Sequence, residues 1–158
     1  MDYYELAKWV HILSSTVLFG TGMGTAFQMV AAMHRRKPQV VATVARNVVI
    51  ADWIFTTPAG LIQPISGVTL VYLAGWSLTE PWLIVTYFLY VMAFCAWVPV
   101  VWLQGQIRDL SAESVQNGTG LCEKCLRYYR IWFTLGWPAF IALMGIFWLM
   151  IAKPQLWG

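Results

Sequence analysis

The run PWLIVTYFLYVMAFCAWVPVVWL, residues 81–103, decides the fold class because it holds 23 residues without a charged side chain. A helix of about 20 apolar residues crosses the hydrocarbon core of a bilayer. Apolar runs at about 6–33, 39–74 and 129–152 have similar lengths. The sequence therefore predicts an all-α membrane protein, an up-and-down bundle of four transmembrane helices that forms a single domain over residues 1–158.

The composition agrees with lipid as the main solvent of the chain. Hydrophobic residues make up 59% of the sequence and charged residues 11%, and the mean hydropathy is +0.63. In soluble domains, roughly a quarter of the residues are charged. The net charge of +3 comes from cations in short connections. We therefore expect the lipid bilayer as partner and no nucleic acid.

The cations are distributed unevenly between the two sides of the predicted bundle. Eight lie in or beside the first and third connections: Arg35, Arg36, Lys37, Arg46, Arg108, Lys124, Arg127 and Arg130. The opposite side holds only Lys8 and Lys153. Cytoplasmic loops carry the excess of Lys and Arg. The pattern predicts that the N-terminus and the C-terminus both face out, in a multi-pass protein of the bacterial inner membrane.

His11 is an ionisable residue within the first apolar run, where such a residue is a functional candidate. Its helical face continues through Ser15, Leu18, Gly22 and Thr25, which are mostly small. One interpretation is that this face holds a b-type haem, with the neutral imidazole of His11 as axial ligand. The other is that the small residues permit close helix packing while His11 makes a hydrogen bond across the bundle.

A second axial ligand is not specified by the spacing. His34 lies 23 residues from His11, about 34 Å along a helix, so the two cannot share a site within one chain. Met144 is a candidate, as are water and His11 of a second copy. The remaining candidates from the outer halves of the other helices are Met150, Tyr72, Tyr87 and Tyr90. We expect a homodimer or a larger membrane complex.

Two further functions are open at this point. Imidazole and thioether groups suit copper, so His11 with Met23, Met29 or the outer methionines is a possible copper-handling set. The chain lacks a complete set of catalytic motifs, which favours a cofactor-free accessory or structural subunit of a larger membrane complex. The sequence does not decide whether the chain is an enzyme.

Asp52 lies at the cytoplasmic end of the second apolar run. Its expected depth matches that of Arg46, Arg127 and Arg130, so we expect an ion pair that locks helices together, ahead of a proton relay. Gln28 and Gln63 are expected to donate hydrogen bonds between helices.

The pair Cys122-Glu-Lys-Cys125 lies in the third connection. It is half of a zinc site if His34, or the same pair from another copy, completes the ligands, and it has the spacing of a redox dithiol. A single such pair is a weak signal. We favour surface thiols without a role over zinc or redox chemistry.

Six motifs carry a resemblance to a known family. They are KWVHILS (8–14), GTGMG (20–24), DWIFTTPA (52–59), GWSLTEPW (75–82), WVPVVW (97–102) and WFTLGWPAF (132–140). With these motifs the chain resembles a bacterial family of predicted integral membrane proteins without an assigned activity. The Lys-x-x-His opening is also distantly similar to the copper-resistance D family and to the membrane protoporphyrinogen oxidases. In the oxidases the matching His is implicated in haem binding, and the resemblance implies that role for His11.

Overall fold

Helices account for the secondary structure of this computed structural model, which describes residues 2–157, and none of those residues lies in a strand. The elements are α1 (Tyr3–Arg35), α2 (Pro38–Ala51), a wide π-helical turn (Asp52–Thr56), α3 (Thr57–Leu73), α4 (Pro81–Gln116) and α5 (Glu123–Ala152). Because α2, the wide turn and α3 are continuous, they form one rod. Four rods are long and apolar enough to cross a membrane. The predicted all-α four-helix membrane bundle is confirmed.

The two ends of the bundle differ. We call the end that holds the connections 36–37 and 117–122 the loop end, and the end that holds both chain termini and the connection 74–80 the terminal end. The loop-end core takes buried side chains from all four rods: Met29, Ala32, Met33, Val41, Ala45, Val48, Leu103, Ile107, Cys125 and Trp132. The terminal-end core is smaller, with Val71, Trp82, Leu83 and Leu149. The loop end is therefore the better packed half.

Local signals set the start and the end of α1. The Asp2 carboxyl accepts from the Glu5 N–H at 2.7 Å, and the Glu5 carboxyl accepts from the Asp2 N–H at 3.1 Å. These reciprocal bonds form a capping box, which satisfies two free donors at a helix start. Arg36 adopts a left-handed conformation with φ 51° after the last turn. Pro38 then begins α2 at a position that needs no N–H donor.

The wide turn Asp52–Thr56 directly precedes Pro58. A proline within a helix lacks the N–H that would bond four residues back, and its ring crowds that carbonyl. A turn with one extra residue relieves the crowding, and the Thr57 hydroxyl donates to the Asp52 carbonyl at 2.8 Å. The rod therefore accommodates Pro58 by widening one turn.

The third and fourth helices extend beyond their predicted ranges of 81–103 and 129–152. Helix α4 continues to Gln116, thirteen residues past the predicted end at residue 103. The buried residues of this extension are Gln104, Ile107, Ser111 and Ser114, which recur at helical spacing and turn one face toward α2. Helix α5 begins early, at Glu123.

Candidate functional site

His11 on α1 faces α3, where its Nδ1 lies 2.8 Å from the Ser66 hydroxyl oxygen. The Ser66 hydroxyl has a single hydrogen, which it donates to the Ile62 carbonyl at 2.7 Å. With that hydrogen assigned to the Ile62 carbonyl, the hydroxyl is left to accept the bond from His11, which assigns the imidazole proton to Nδ1. The neutral ring therefore has its lone pair on Nε2.

Gln63 joins the backbones of the two helices beside this ring. Its amide N–H group donates to the His11 carbonyl at 2.8 Å and to the Ser14 hydroxyl at 2.5 Å. Ser14 is buried and itself donates to the His11 carbonyl at 3.1 Å. The predicted interhelical hydrogen bond of Gln63 is confirmed, and it fixes the register of α1 against α3. The same prediction for Gln28 is wrong, because Gln28 is exposed on α1.

Gly67 lies beside the Cε1–Nδ1 edge of the imidazole. A Cβ placed on Gly67 would be 3.4 Å from His11 Cε1 and 3.9 Å from Nδ1. Among residues 2–157, no group hydrogen-bonds to Nε2 of the half-buried His11. The ring is thus held by one nitrogen and one edge, while the second nitrogen is available to a ligand.

The small-residue face of α1 does not pack as one surface. Ser15 is half-buried and donates to the Ile12 carbonyl at 2.7 Å, and Leu18 reaches within 3.9 Å of a Cβ placed on Gly60 of α3. Gly22 is exposed, and a Cβ placed there would meet no atom within 4 Å. The same holds for Gly20 and Gly24. The expected close packing through these glycines is therefore wrong within this chain.

Met144 is not brought beside His11. Phe19 of α1 packs against Phe140 and Phe147 of α5, with ring centroids 5.6 Å and 5.5 Å apart, so Met144 lies near the depth of Phe19. That depth is about 12 Å farther into the bundle than His11, by the helical rise. Met144 is also 47% exposed. By the same reasoning Met150, which packs on the terminal-end core, is the methionine near the depth of His11.

The tyrosines named as axial candidates have other positions. The Tyr90 hydroxyl donates to the Gly60 carbonyl, and Tyr72 is largely exposed at the end of α3. Tyr87 is exposed on α4.

The copper set is not assembled either. Met29 is fully buried in the loop-end core, and Met23 is exposed. Met23 lies twelve residues beyond His11 on the same helix, about 18 Å away. A copper ion at His11 would therefore have neither thioether within reach.

Each cysteine of the pair has a structural position. The Cys122 sulfur caps α5 by accepting from the Cys125 N–H at 3.4 Å. Cys125 is fully buried in the loop-end core. Within the part of the chain that is described, no three His, Cys, Asp or Glu side chains are grouped as metal ligands, so His34 is not brought to the pair.

The expected ion pair of Asp52 is wrong. Arg46, Arg127 and Arg130 are exposed, and Arg108 with Asp109 forms the one ion pair found over residues 2–157. Asp52 is instead 4% exposed and accepts from the Thr56 hydroxyl at 2.8 Å. Long cationic side chains near a helix end reach toward water, which explains why they turn away from this buried carboxyl.

The neutral imidazole of His11 fits one axial position of a b-type haem. Its free Nε2 is the donor atom that such an iron takes, and a ligating His typically holds its other nitrogen in a hydrogen bond, as Ser66 does here. Neither Met144 nor Met23 fits the opposite position, because helical rise keeps both far from the ring. Of the residues named for this role, His11 alone presents a donor atom in a position that a haem iron could take.

The four rods, with one imidazole and one carboxyl buried among them, define a small polytopic integral membrane protein. The chain belongs to the family described as "Predicted integral membrane protein (DUF2269)", whose model matches residues 5–154. No curated protein and no solved structure matches the chain.

Proposed function

We propose that this protein is a redox protein of the bacterial inner membrane that holds a b-type haem through Nε2 of His11, near the outer face. The observation that carries the proposal is the hydrogen bond between His11 Nδ1 and Ser66, because it leaves the lone pair on the other nitrogen. The distant similarity of the Lys-x-x-His opening to membrane protoporphyrinogen oxidases also supports it.

The protein residues have separate tasks in this proposal. Ser66 orients the imidazole and raises its basicity through the bond to Nδ1, as outer-shell partners of ligating histidines do. Gln63 holds α1 and α3 together on either side of the ring, and Gly67 leaves space for the ring edge. When bound, a b-type haem supplies one-electron transfer, and a quinone dissolved in the membrane is the class of electron partner that we propose.

The open face of α1 supports an assembly of more than one copy. Ser15 and Gly22 lie on the same helical face as His11 and leave that face nearly flat. Within residues 2–157, no neighbouring helix covers Gly22. Small residues allow close approach of helices in a membrane. We propose a homodimer or a larger membrane complex at this face, in which a second copy supplies the other axial ligand.

The test is the visible absorption spectrum of the full chain purified in lipid, before and after addition of haem and of dithionite. We expect a Soret band that sharpens on reduction, and we expect His11→Ala to abolish it. His34→Ala is the matched control because His34 is the other histidine and is exposed at the loop end. A wild-type protein that takes up no haem, or an equal Soret band in His11→Ala, removes the proposal.

A further inference from the structure

Asp52 is a buried carboxyl without a cation. It lies in the rod Pro38–Leu73 that crosses the membrane, and its exposed fraction is 4%. An isolated carboxylate in apolar surroundings is very costly, so such a group binds a cation or becomes neutral. Asp52 must therefore either have a cation nearby or keep its carboxyl protonated.

The ionisable groups on the surrounding elements do not supply the missing charge. Helix α1 has none between His11 and His34, and α3 has only Tyr72, at its far end. Arg46 on α2 is exposed. Those of α4 are Tyr87 (exposed), Tyr90 (bonded to the Gly60 carbonyl), Cys95 (exposed), Arg108 (paired with Asp109) and Glu113 (exposed).

Gln104 of α4 carries a second unexplained group beside this carboxyl. Its side chain is 3% exposed and lies beside the Asp52 carboxyl. The amide oxygen Oε1 is buried and has no donor within residues 2–157. A carboxylate offers only acceptors, so a charged Asp52 leaves Oε1 without a partner.

A proton on Asp52 accounts both for the buried carboxyl without a cation and for the Gln104 oxygen without a donor. A protonated carboxyl is neutral and has an O–H donor. Paired with a primary amide, it donates O–H to the amide oxygen and accepts N–H at its other oxygen. The Thr56 hydroxyl adds its bond to Oδ1.

We propose that Asp52 and Gln104 form a proton-binding site within the membrane-crossing bundle, occupied at neutral pH. A proton from water forms an O–H bond on the Asp52 carboxyl, which becomes a neutral acid and donates to Gln104 Oε1. Loss of the proton removes the O–H donor and leaves a charged carboxylate beside an amide oxygen that has no partner. The site is independent of the haem at His11, because its residues lie on the wide turn and α4.

Infrared spectroscopy of the full chain in lipid vesicles tests the proton directly. We expect the carbonyl stretch of a protonated carboxyl at neutral pH, shifted in D₂O and absent in Asp52→Asn. The asparagine variant keeps an amide that pairs with Gln104, so it retains the fold. The absence of this band from the wild type, or its persistence in Asp52→Asn, overturns the proposal.

A hydrophobic carbodiimide identifies the occupant, since it reacts with protonated carboxyls in apolar surroundings. We expect labelling of Asp52, read by peptide mass spectrometry, to exceed that of Asp109 about tenfold, because burial favours the neutral acid. Asp109 is the matched control, 61% exposed and paired with Arg108. Sodium and potassium chloride should leave the labelling of Asp52 equal. Protection by sodium alone would make the occupant a sodium ion and overturn the proposal.

Discussion

Two polar clusters in this bundle use similar side chains and leave different atoms free. At the first, His11 meets Ser66 and Gln63, and the half-buried ring keeps Nε2 available. At the second, Asp52 meets Thr56 and Gln104, and the available atom is an amide oxygen sealed inside the protein. Under the two proposals, exposure of the remaining acceptor distinguishes the ligands: the open imidazole nitrogen takes a cofactor, and the sealed amide oxygen takes the hydrogen of a protonated carboxyl.

The largest effect is expected when the sealed cluster loses its amide. Gln104→Leu removes both hydrogen bonds of the proposed pair and leaves the buried acid with Thr56 alone, which lowers the free energy of unfolding by about 2 to 3 kcal/mol. Reversible unfolding in mixed micelles measures it. Gln106→Leu is the control, since Gln106 is two residues along α4 and only half-buried. Equal losses in both variants would mean that the pair with Asp52 contributes nothing.

At the open cluster, Ser66→Ala removes the bond that orients the imidazole. We expect haem affinity to fall about 10- to 100-fold, as for other outer-shell partners of ligating histidines. A haem titration followed at the Soret band measures it. Thr69→Ala, on an exposed face of α3, should leave the affinity unchanged. Unaltered affinity in Ser66→Ala would contradict the assigned tautomer, and Ser66→Thr should restore binding because it retains the hydroxyl.

A smaller loss is expected from the contact that joins the two helices of the open cluster. Gln63→Leu removes the bonds to Ser14 and to the His11 carbonyl, which costs about 1 kcal/mol, since interhelical bonds in membranes are individually weak. Gln28→Leu changes an exposed glutamine on α1 and is the control for unfolding in mixed micelles. If the two variants unfold alike, Gln63 does not set the helix register.

The smallest effect is expected at Gly67. Gly67→Ala gains helix propensity and brings a methyl group 3.4 Å from the ring, so the unfolding free energy should change by less than about 1 kcal/mol. Gly67→Leu cannot fit beside the ring and should displace it. Haem titration of both variants separates these outcomes, and equal affinities would show that the ring edge does not need this glycine.

The sequence predicts the membrane class and four helices because long apolar runs without charge are stable mainly as helices that cross a lipid bilayer. It also identifies His11, since an imidazole within an apolar run is conspicuous. It does not identify Ser66 and Gly67 as its neighbours, because a contact between helices depends on their relative rotation. No spacing within α1 or α3 encodes that rotation.

The error at Asp52 has a related cause. Matching depths suggested Arg46 as a partner, but depth ignores the direction in which a side chain points. The residue that does face the carboxyl, Gln104, lies just beyond the predicted end of the third helix. A polar stretch there resembles a loop, although its buried positions repeat with helical spacing.

The extra residue in the wide turn Asp52–Thr56 also makes the two polar clusters face different directions around the axis of the rod. In a regular helix, at about 100° per residue, Asp52, Gln63 and Ser66 would fall within about 60° of one another and form one polar stripe. The wide turn shifts the rotational phase of everything after it, so Gln63 and Ser66 meet α1 while Asp52 meets α4. A single inserted residue thus lets one rod present separate chemistry to two neighbours. Deletion of this residue would turn Asp52, Gln63 and Ser66 toward the same neighbouring helix.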